Sequence, residues 1–232
     1  MDIKDIGNPR QEIEDAIAGG DLQKLLRISG MLHGHFCPGS AMGVKAAAWA
    51  VRELKVKSKG MEEVVTIVET NSCFADGVQM VTGCSFGNNA LIYYDYGKTA
   101  LTLARRTGEA VRVAAKAGNQ SMEKREPETM ALFKKVVKER RGTEDDDKKL
   151  RQSWIEASFR MLDIPDEELF SIRHLTIKVP DYAHIFGSVK CSQCGENIME
   201  PRARLKDNEP ICLPCSGQAY YRLAGDGISV IL

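Results

Sequence analysis

The sequence predicts an α+β core, in which helices pack on an antiparallel or mixed sheet, followed by a small carboxy-terminal zinc finger. Three observations support this fold class. Helical periodicity runs through the amino-terminal quarter of the chain, β-branched and alternating segments fill the next quarter, and two CxxC pairs lie near the carboxyl end. We expect the core domain to span residues 1–180, with a helical segment at 120–163, and the zinc-binding domain to span 181–232.

The composition is that of an ordinary globular protein and argues against several classes of partner. Hydrophobic residues make up 43% of the chain, and 32 Lys and Arg residues balance 32 Asp and Glu residues. With no net charge, binding to nucleic acid or to an anionic membrane surface is not expected. The first twenty residues carry acids and a proline where a signal peptide needs an apolar run, and no later segment resembles a membrane span. We therefore expect a cytoplasmic protein.

Helices are predicted in the amino-terminal quarter. Residues 11–30 form an amphipathic helix or two shorter ones, because Gly19-Gly20 interrupts the pattern and Asp21 is a suitable N-cap for a second helix. After Pro38, residues 41–55 are apolar on almost every side, and several of them are small. This segment is predicted to be the central buried helix.

Sheet-forming segments follow. Residues 64–69 are β-branched and continuous, which indicates a buried strand, and a short helix is predicted at 75–82 before a second strand. Alternating residues on both sides of Thr107-Gly108 predict a hairpin. The predicted strands span residues 64–69, 90–95, 98–106, 109–115 and 170–179.

Two charged amphipathic helices are predicted after the hairpin, at residues 127–141 and 144–162. In the second, Leu150, Trp154 and Met161 recur at helical spacing. The first helix ends in a basic run and the second starts in an acidic run, an arrangement that suits the helix macrodipole. We interpret these charges as solvated helix ends rather than as a nucleic-acid surface.

The strongest metal signal is the pair of CxxC motifs near the carboxyl end, separated by seventeen residues. Two close pairs of thiolates provide tetrahedral coordination, and four cysteines leave no position for a substrate. We therefore predict a structural zinc site, although a rubredoxin-like iron centre uses the same ligand set. His184 lies beside this module and is a weaker candidate, whereas His174 lies in a strand pattern. The predicted ligands are Cys191, Cys194, Cys212 and Cys215.

A second candidate centre is the sequence HGHFCPG at residues 33–39, where two histidines and a cysteine alternate with other residues. Imidazole and thiolate are common ligands of zinc and related metals. If this segment is extended, His33, His35 and Cys37 project from one face but span about 13 Å. Without a bend, an adjacent pair is then the natural metal-binding unit, with zinc or another transition metal as its cofactor.

Two further cysteines, Cys73 and Cys84, lie on either side of the helix predicted at 75–82, so at most one of them is an easy ligand of the same ion. We favour Cys73, at the end of a buried strand. Cys84 is a nucleophile, a redox partner or a small hydrophobic residue. Cys37 and Asp76 are further catalytic candidates, with Asp76 acting as a base or as an orienting residue.

Taken together, the motifs resemble those of a known family. HGHFCPG followed by a small-residue helix, and then NSCFADGVQMVTGCSFGNNAL, is similar to the formylmethanofuran dehydrogenase FmdE family of archaea and anaerobic bacteria. The resemblance covers residues 20–115, and the CxxC tail resembles the auxiliary treble-clef zinc finger that some members carry. Two departures are Lys45, where an arginine is expected, and the segment GCSFGN, which replaces a GCT and GKG-like turn. The family pattern maps onto His33, His35, Cys37, Cys73, Asp76 and Cys84.

The resemblance implies an α+β core, a homodimer and a His/Cys metal site. It also implies a link to molybdenum- or tungsten-dependent one-carbon (formylmethanofuran) metabolism in methanogenesis, with a dehydrogenase subunit or molybdenum/tungsten cofactor machinery as partner.

Two hypotheses for the activity follow, and whether the protein is an enzyme stays open at this point. In the first, it is an accessory or stand-alone metalloprotein that polarises a small carbonyl, formyl or water ligand. In the second, it is a non-enzymatic module whose zinc finger recruits a protein or nucleic acid. We do not favour a thiol exchanger, because the two CxxC pairs complement each other as one metal site.

Overall fold

The chain divides into two units, Met1–Pro180 and Asp181–Leu232. Residues 120 and 121, at the start of the predicted helical segment, lie outside the described residues, as do the first six residues. Among the described residues, no helix is long and apolar enough to cross a membrane. The computed structural model describes residues 7–58, 61–118 and 122–232.

Three helices begin the first unit: α1 Gln11–Gly19, α2 Leu22–His33 and α3 Pro38–Leu54. The prediction of two short helices is confirmed, because Gly20 ends α1 in the left-handed conformation and the Asp21 side chain accepts the Lys24 N–H at 2.9 Å. The central helix starts three residues earlier than predicted, at Pro38. Thirteen of its seventeen residues are buried, so the prediction that it lies in the core is confirmed.

The strands of the first unit form one five-stranded mixed sheet, in which β1 pairs in parallel with β2 and the other neighbours are antiparallel. The fold class predicted from the sequence is therefore confirmed. Every residue of β1 is buried, as its continuous β-branched sequence indicates. The order across the sheet is β2-β1-β3-β4-β5, where the strands are β1 Val64–Val68, β2 Leu91–Tyr93, β3 Ala100–Arg105, β4 Glu109–Ala115 and β5 Phe170–Thr176.

Helix α4 connects the two parallel strands and spans Cys73–Thr82. It starts two residues earlier than predicted, so Cys73 lies in the first turn of a helix rather than at a strand end. Helices α3 and α4 pack in backbone contact. A Cβ on Gly43 would lie 2.1 Å from the carbonyl oxygen of Phe74, and a Cβ on Gly77 would lie 2.4 Å from that of Ser40. Only glycine fits at this crossing.

The charged part of the first unit is helical, with one irregularity. The helix predicted at 127–141 is α-helical only to Phe133 and continues as a π-helical turn, Lys134–Lys138. The next helix opens with a capping box, in which Thr143 and Asp146 bond each other's backbone N–H. The helices of this region are α5 Met122–Arg125, α6 Pro127–Phe133, α7 Glu144–Asp163 and α8 Asp166–Leu169.

Lys45, one of the two departures from the family pattern, ties the central helix to this helical region. Its side chain is 3% exposed, and its ammonium donates to the carbonyl oxygen of Leu162 at 2.9 Å and pairs with Asp166 at 2.8 Å. Arg52 also binds Asp166, at 3.2 Å. Because a buried ammonium needs both charge and hydrogen-bond partners, Lys45 fixes where α7 ends against α3.

The second unit consists of short hairpins and one helical turn. Its apolar core is small, with Cys191, Ile198 and Ile211 as the buried residues. A core of this size supplies little folding free energy, so a metal is the expected source of stability. The elements are β6 Ser188–Lys190, β7 Asn197–Met199, a 3-10 turn Glu200–Arg202, β8 Arg204–Lys206, β9 Glu209–Ile211, α9 Leu213–Ser216, β10 Tyr220–Ala224 and β11 Gly227–Ile231.

Candidate metal centre

Two cysteines lie side by side at the starts of the two crossing helices. Cys37 is the N-cap of α3, and its Sγ accepts the backbone N–H of Ser40 at 3.4 Å. Cys73 is the first residue of α4. Both side chains lie against Gly39: a Cβ on this glycine would be 3.1 Å from the Cβ of Cys73 and 3.8 Å from the Sγ of Cys37. The two thiols also share a hydrogen bond. The close crossing of α3 and α4 therefore brings together two cysteines that are far apart in the sequence.

The two histidines reach the same point because the chain turns sharply between them. Helix α2 ends at His33, and Gly34 follows with φ of 83°, a left-handed conformation that glycine adopts without strain. The rings of His33 and His35 then lie 4.3 Å apart between centroids, and His33 Nε2 lies 3.4 Å from Cys37 Sγ. The donor atoms of His33, His35 and Cys37 all lie within 4.8 Å of one another.

The extended geometry considered for residues 33–37 is wrong, because Gly34 bends the segment. Three donors rather than an adjacent pair therefore converge. This set matches the preference of zinc and related metals for imidazole and thiolate, so the residues present fit such an ion.

Asp76 holds His33 from the side opposite to Cys37. Its Oδ2 lies 2.7 Å from His33 Nδ1, and its Oδ1 accepts a hydrogen bond from Gln79 Nε2 at 3.2 Å. A carboxylate on one imidazole nitrogen fixes the ring and leaves the other nitrogen for a metal. Burial lowers the pKa of His33, but the bonds to Asp76 and Cys37 outweigh burial and raise it overall.

The two thiols of the cluster differ in their readiness to ionise. Their mutual hydrogen bond lowers the pKa of Cys37 and raises that of Cys73, because one proton between them is donated to the Cys37 sulfur. The N–H of Ser40 lowers the pKa of Cys37 further. Since a thiolate is the form that binds metals, Cys37 is the thiol of this pair that ionises more readily to a metal-binding form.

An apolar cavity of about 630 Å³ opens onto the cluster. His35, Cys37 and Cys73 lie at one end of it. No motif in the sequence directly indicates this cavity: the helical spacing of Leu150 and Trp154 predicts a core face, whereas both side chains line the cavity. Its walls come from α6, the π-helical turn and α7, through Phe133, Val137, Leu150, Arg151, Trp154 and Ile155.

The structure does not bring Cys84 or His174 into this cluster. Cys84 lies beyond the other end of α4, is 1% exposed and directs its Sγ at the carbonyl oxygen of Val64 at 3.7 Å. Burial raises the pKa of its thiol. His174 lies on β5 and pairs with Glu53 at 3.5 Å, and the ring of His184 neighbours Phe186.

The four cysteines of the second unit form a separate cluster, and their sulfur atoms all lie within 4.8 Å of one another. The Sγ atoms of Cys194 and Cys212 are 3.9 Å apart. Backbone N–H groups of Cys194 and Cys212 lower the pKa of Cys191 to about 6, and the N–H of Cys215 binds the sulfur of Cys212 at 3.4 Å. Four thiols with backbone N–H support fit tetrahedral zinc.

Comparison with known families assigns both units. The family described as "FmdE, Molybdenum formylmethanofuran dehydrogenase operon" matches residues 32–171, more than half of the chain. The chain belongs to the FmdE family. The family described as "Prokaryotic dksA/traR C4-type zinc finger" matches residues 184–221, which contain all four cysteines of the second cluster. The resemblance inferred from the sequence motifs is confirmed.

The proteins similar to this FmdE-family chain include one curated relative and one solved structure. A protein of Archaeoglobus fulgidus named "Probable S-adenosyl-L-methionine-binding protein" is 40% identical over 232 residues, which cover 97% of this chain. The match spans only 62% of that relative's length. The crystal structure of a tungsten formylmethanofuran dehydrogenase FmdE-like protein from Syntrophus aciditrophicus is 24% identical, with a TM-score of 0.53. That match covers 84% of this chain and 92% of the other, and it shows the shared fold.

Proposed function

We propose that this FmdE-family chain is a metalloprotein with a reactive metal in its core and a structural zinc in its finger. The observation that carries the proposal is the convergence of His33, His35 and Cys37 donor atoms within 4.8 Å, beside a cavity. Cys73 is the further candidate ligand, since its thiol is hydrogen-bonded to Cys37. In the finger, Cys191, Cys194, Cys212 and Cys215 are the proposed ligands.

A zinc or other transition-metal ion in the core would supply a Lewis acid for a small carbonyl, formyl or water ligand. The protein's own contribution is positioning. Asp76 fixes the ring of His33 through the 2.7 Å contact, and a mostly apolar cavity lies on the side on which His35, Cys37 and Cys73 are accessible.

The metabolic role that we propose is in molybdenum- or tungsten-dependent one-carbon metabolism, as in methanogenesis. There the protein acts as an accessory or as a stand-alone metalloprotein. The description of its family and the name of the similar solved structure both support this setting. We propose a reducing cytoplasm as the location, since all seven cysteines are free thiols. A homodimer is proposed from the resemblance to the FmdE family. A dehydrogenase subunit or molybdenum/tungsten cofactor machinery is the proposed partner.

Metal analysis of variants tests the core site. The wild-type protein is expected to hold about two metal ions per chain, and replacing both His35 and Cys37 by alanine should remove one of them while the finger keeps its own. Cys84→Ala is the matched control and should retain both. A single ion per chain that is unaffected by the His35 and Cys37 substitutions would refute the proposed core site. Co-purification with a dehydrogenase subunit tests the setting separately.

A second candidate activity is the binding of S-adenosyl-L-methionine. The name of the 40% identical Archaeoglobus relative suggests it, and the aromatic side chains of Phe133 and Trp154 in a cavity of about 630 Å³ offer a surface for an adenine ring. Equilibrium dialysis with labelled S-adenosyl-L-methionine tests this candidate. Binding should weaken at least 10-fold in Trp154→Ala, and the absence of binding to the metal-loaded wild type would exclude it.

A further inference from the structure

We infer that the cavity beside the core cluster binds a small organic anion made of two parts, a metal-ligating head group and an aromatic body. The inference rests on the proposed metal site, because the head group needs an ion at His33, His35 and Cys37. It goes further by specifying which chemistry the walls of the cavity recognise.

The far wall of the cavity is built to contact a planar, apolar group. Trp154 and Phe133 meet edge to face, with ring centroids 5.4 Å apart and an interplanar angle of 79°. Val137, Leu150 and Ile155 complete this wall, and Leu150 is buried beneath it. Two aromatic rings and three branched aliphatic side chains form a wall on which an apolar ring can pack, and its side chains offer a polar body one hydrogen-bonding group, the indole N–H of Trp154.

The charges beside the cavity favour an anion. Among the described lining residues, Arg151 is the one Lys, Arg, Asp or Glu side chain. It binds Asp147 at 2.9 Å and keeps further N–H groups for a ligand. The ammonium of Lys138, which does not itself line the cavity, lies 5.9 Å from the centre of the Phe133 ring. No lining carboxylate is available among these residues to pair with a cationic ligand, so the charges favour a small anion over the sulfonium cation of the second candidate activity.

The opposite end of the cavity supplies the position for the head group. His35, Cys37 and Cys73 are the polar lining residues there. His35 and Cys37 are donors of the proposed metal site, and Cys73 is its further candidate ligand. An anionic oxygen or sulfur atom on the metal therefore places the rest of the ligand against Trp154 and its neighbours. The cavity has metal donors at one end and an aromatic wall at the other. It therefore fits a small molecule with a metal-ligating group and an aromatic ring better than it fits a protein surface.

Two hydroxamates with the same head group test this inference. Benzohydroxamate carries an aromatic ring and acetohydroxamate carries a methyl group. Because the head group is the same, the ratio of their dissociation constants measures the contribution of the aromatic wall to binding. Isothermal titration calorimetry of the metal-loaded full chain should show that benzohydroxamate binds at least 10-fold more tightly than acetohydroxamate. This difference is expected when the aromatic ring is buried against the wall. Equal dissociation constants for the two compounds, or no binding of either to protein that carries its core metal, would overturn the inference.

Substitutions in the wall identify the contact. Trp154→Ala and Val137→Asp should each reduce the ratio to about 3-fold or less and leave acetohydroxamate binding unchanged. Val137 is 47% exposed, so its substitution is compatible with folding. Met61→Asp changes a residue that is 80% exposed and outside the cavity, and it should preserve the ratio. If Val137→Asp instead changes the oligomeric state in light scattering, a second copy of the chain occupies the wall and the inference is wrong.

The proposed function fails differently. If the proposed function is wrong, metal analysis finds no core ion that His35→Ala and Cys37→Ala remove. If only the present inference is wrong, the core ion is still found, and the two hydroxamates bind to the protein with equal affinity.

Discussion

The imidazole of His33 is held between Asp76 and Cys37: its Nδ1 lies 2.7 Å from the carboxylate of Asp76, and its Nε2 lies 3.4 Å from the sulfur of Cys37. The carboxylate sits on α4 and the sulfur on the N-cap of α3, so the ring spans the junction of two helices. This relationship makes Asp76 a positioning residue for the proposed metal.

Asp76→Asn is expected to weaken metal binding in the core by about 10- to 100-fold, because the amide keeps the size of the carboxylate but not its charge. Competition with a chromogenic chelator measures the affinity. Asp145→Asn, at an exposed position in the first turn of α7, is the control and should leave the affinity unchanged. An Asp76→Asn protein with wild-type affinity would show that the carboxylate does not orient His33 for a metal.

Gly77→Ala is expected to destabilise the first unit by about 3 kcal/mol, since a Cβ at this position would lie 2.4 Å from the carbonyl oxygen of Ser40 and helix α4 must shift. Chemical denaturation measures the free energy of unfolding. Gly19→Ala is the matched control: a Cβ there meets no atom within 4 Å, and alanine should stabilise α1 by up to about 1 kcal/mol. Equal stabilities for the two variants would contradict the close crossing.

Arg112→Leu is expected to cost about 3 kcal/mol, because it leaves the carboxylate of Glu69 buried without its bidentate partner. The two side chains are joined at 2.6 and 2.7 Å, and Glu69 is 7% exposed. Thermal unfolding is the measurement. The double variant with Glu69→Leu should recover much of the loss, and Lys148→Ala, which removes an exposed ion pair, should change stability by less than about 0.5 kcal/mol. A double variant no more stable than Arg112→Leu would contradict this account.

Cys84→Ala is expected to lower stability by about 1 kcal/mol and to leave both metal ions in place, because this thiol is enclosed in the core rather than in the cluster. Metal content and the unfolding midpoint are measured on the same preparation. If Cys84→Ala lost one metal ion and Cys37→Ala did not, Cys84 rather than Cys37 would be the ligand of the core metal.

Cys194→Ser is expected to remove one metal ion per chain and to expose the second unit to trypsin, because its buried apolar core is only three residues. The fragment ending near residue 180 should survive digestion with its core metal. Ser192→Ala, in the same loop, is the control and should keep both the metal and the protease resistance. A trypsin-resistant second unit without metal would mean that hydrophobic burial suffices there.

Local features of the sequence were enough to predict most of the secondary structure. Gly19-Gly20 and Asp21 predicted the break between α1 and α2, and the Thr107-Gly108 turn predicted the hairpin of β3 and β4. These signals are local because caps, turns and side-chain periodicity depend on a few neighbouring residues. The early start of α4 was missed, because no strong capping signal distinguishes Ser72 from the residues around it; its side chain makes no cap hydrogen bond.

The sequence by itself determined the fold class, the family and the donor types, since these depend on periodicity and on the chemistry of single side chains. Only the tertiary structure decided how the donors meet. The turn at Gly34 folds His35 back onto His33, and the contact between Gly43 and Gly77 brings Cys73 to Cys37. It also decided that Trp154 faces a cavity rather than a closed core. Helical spacing specifies which residues share a face, but what that face packs against depends on segments distant in the sequence.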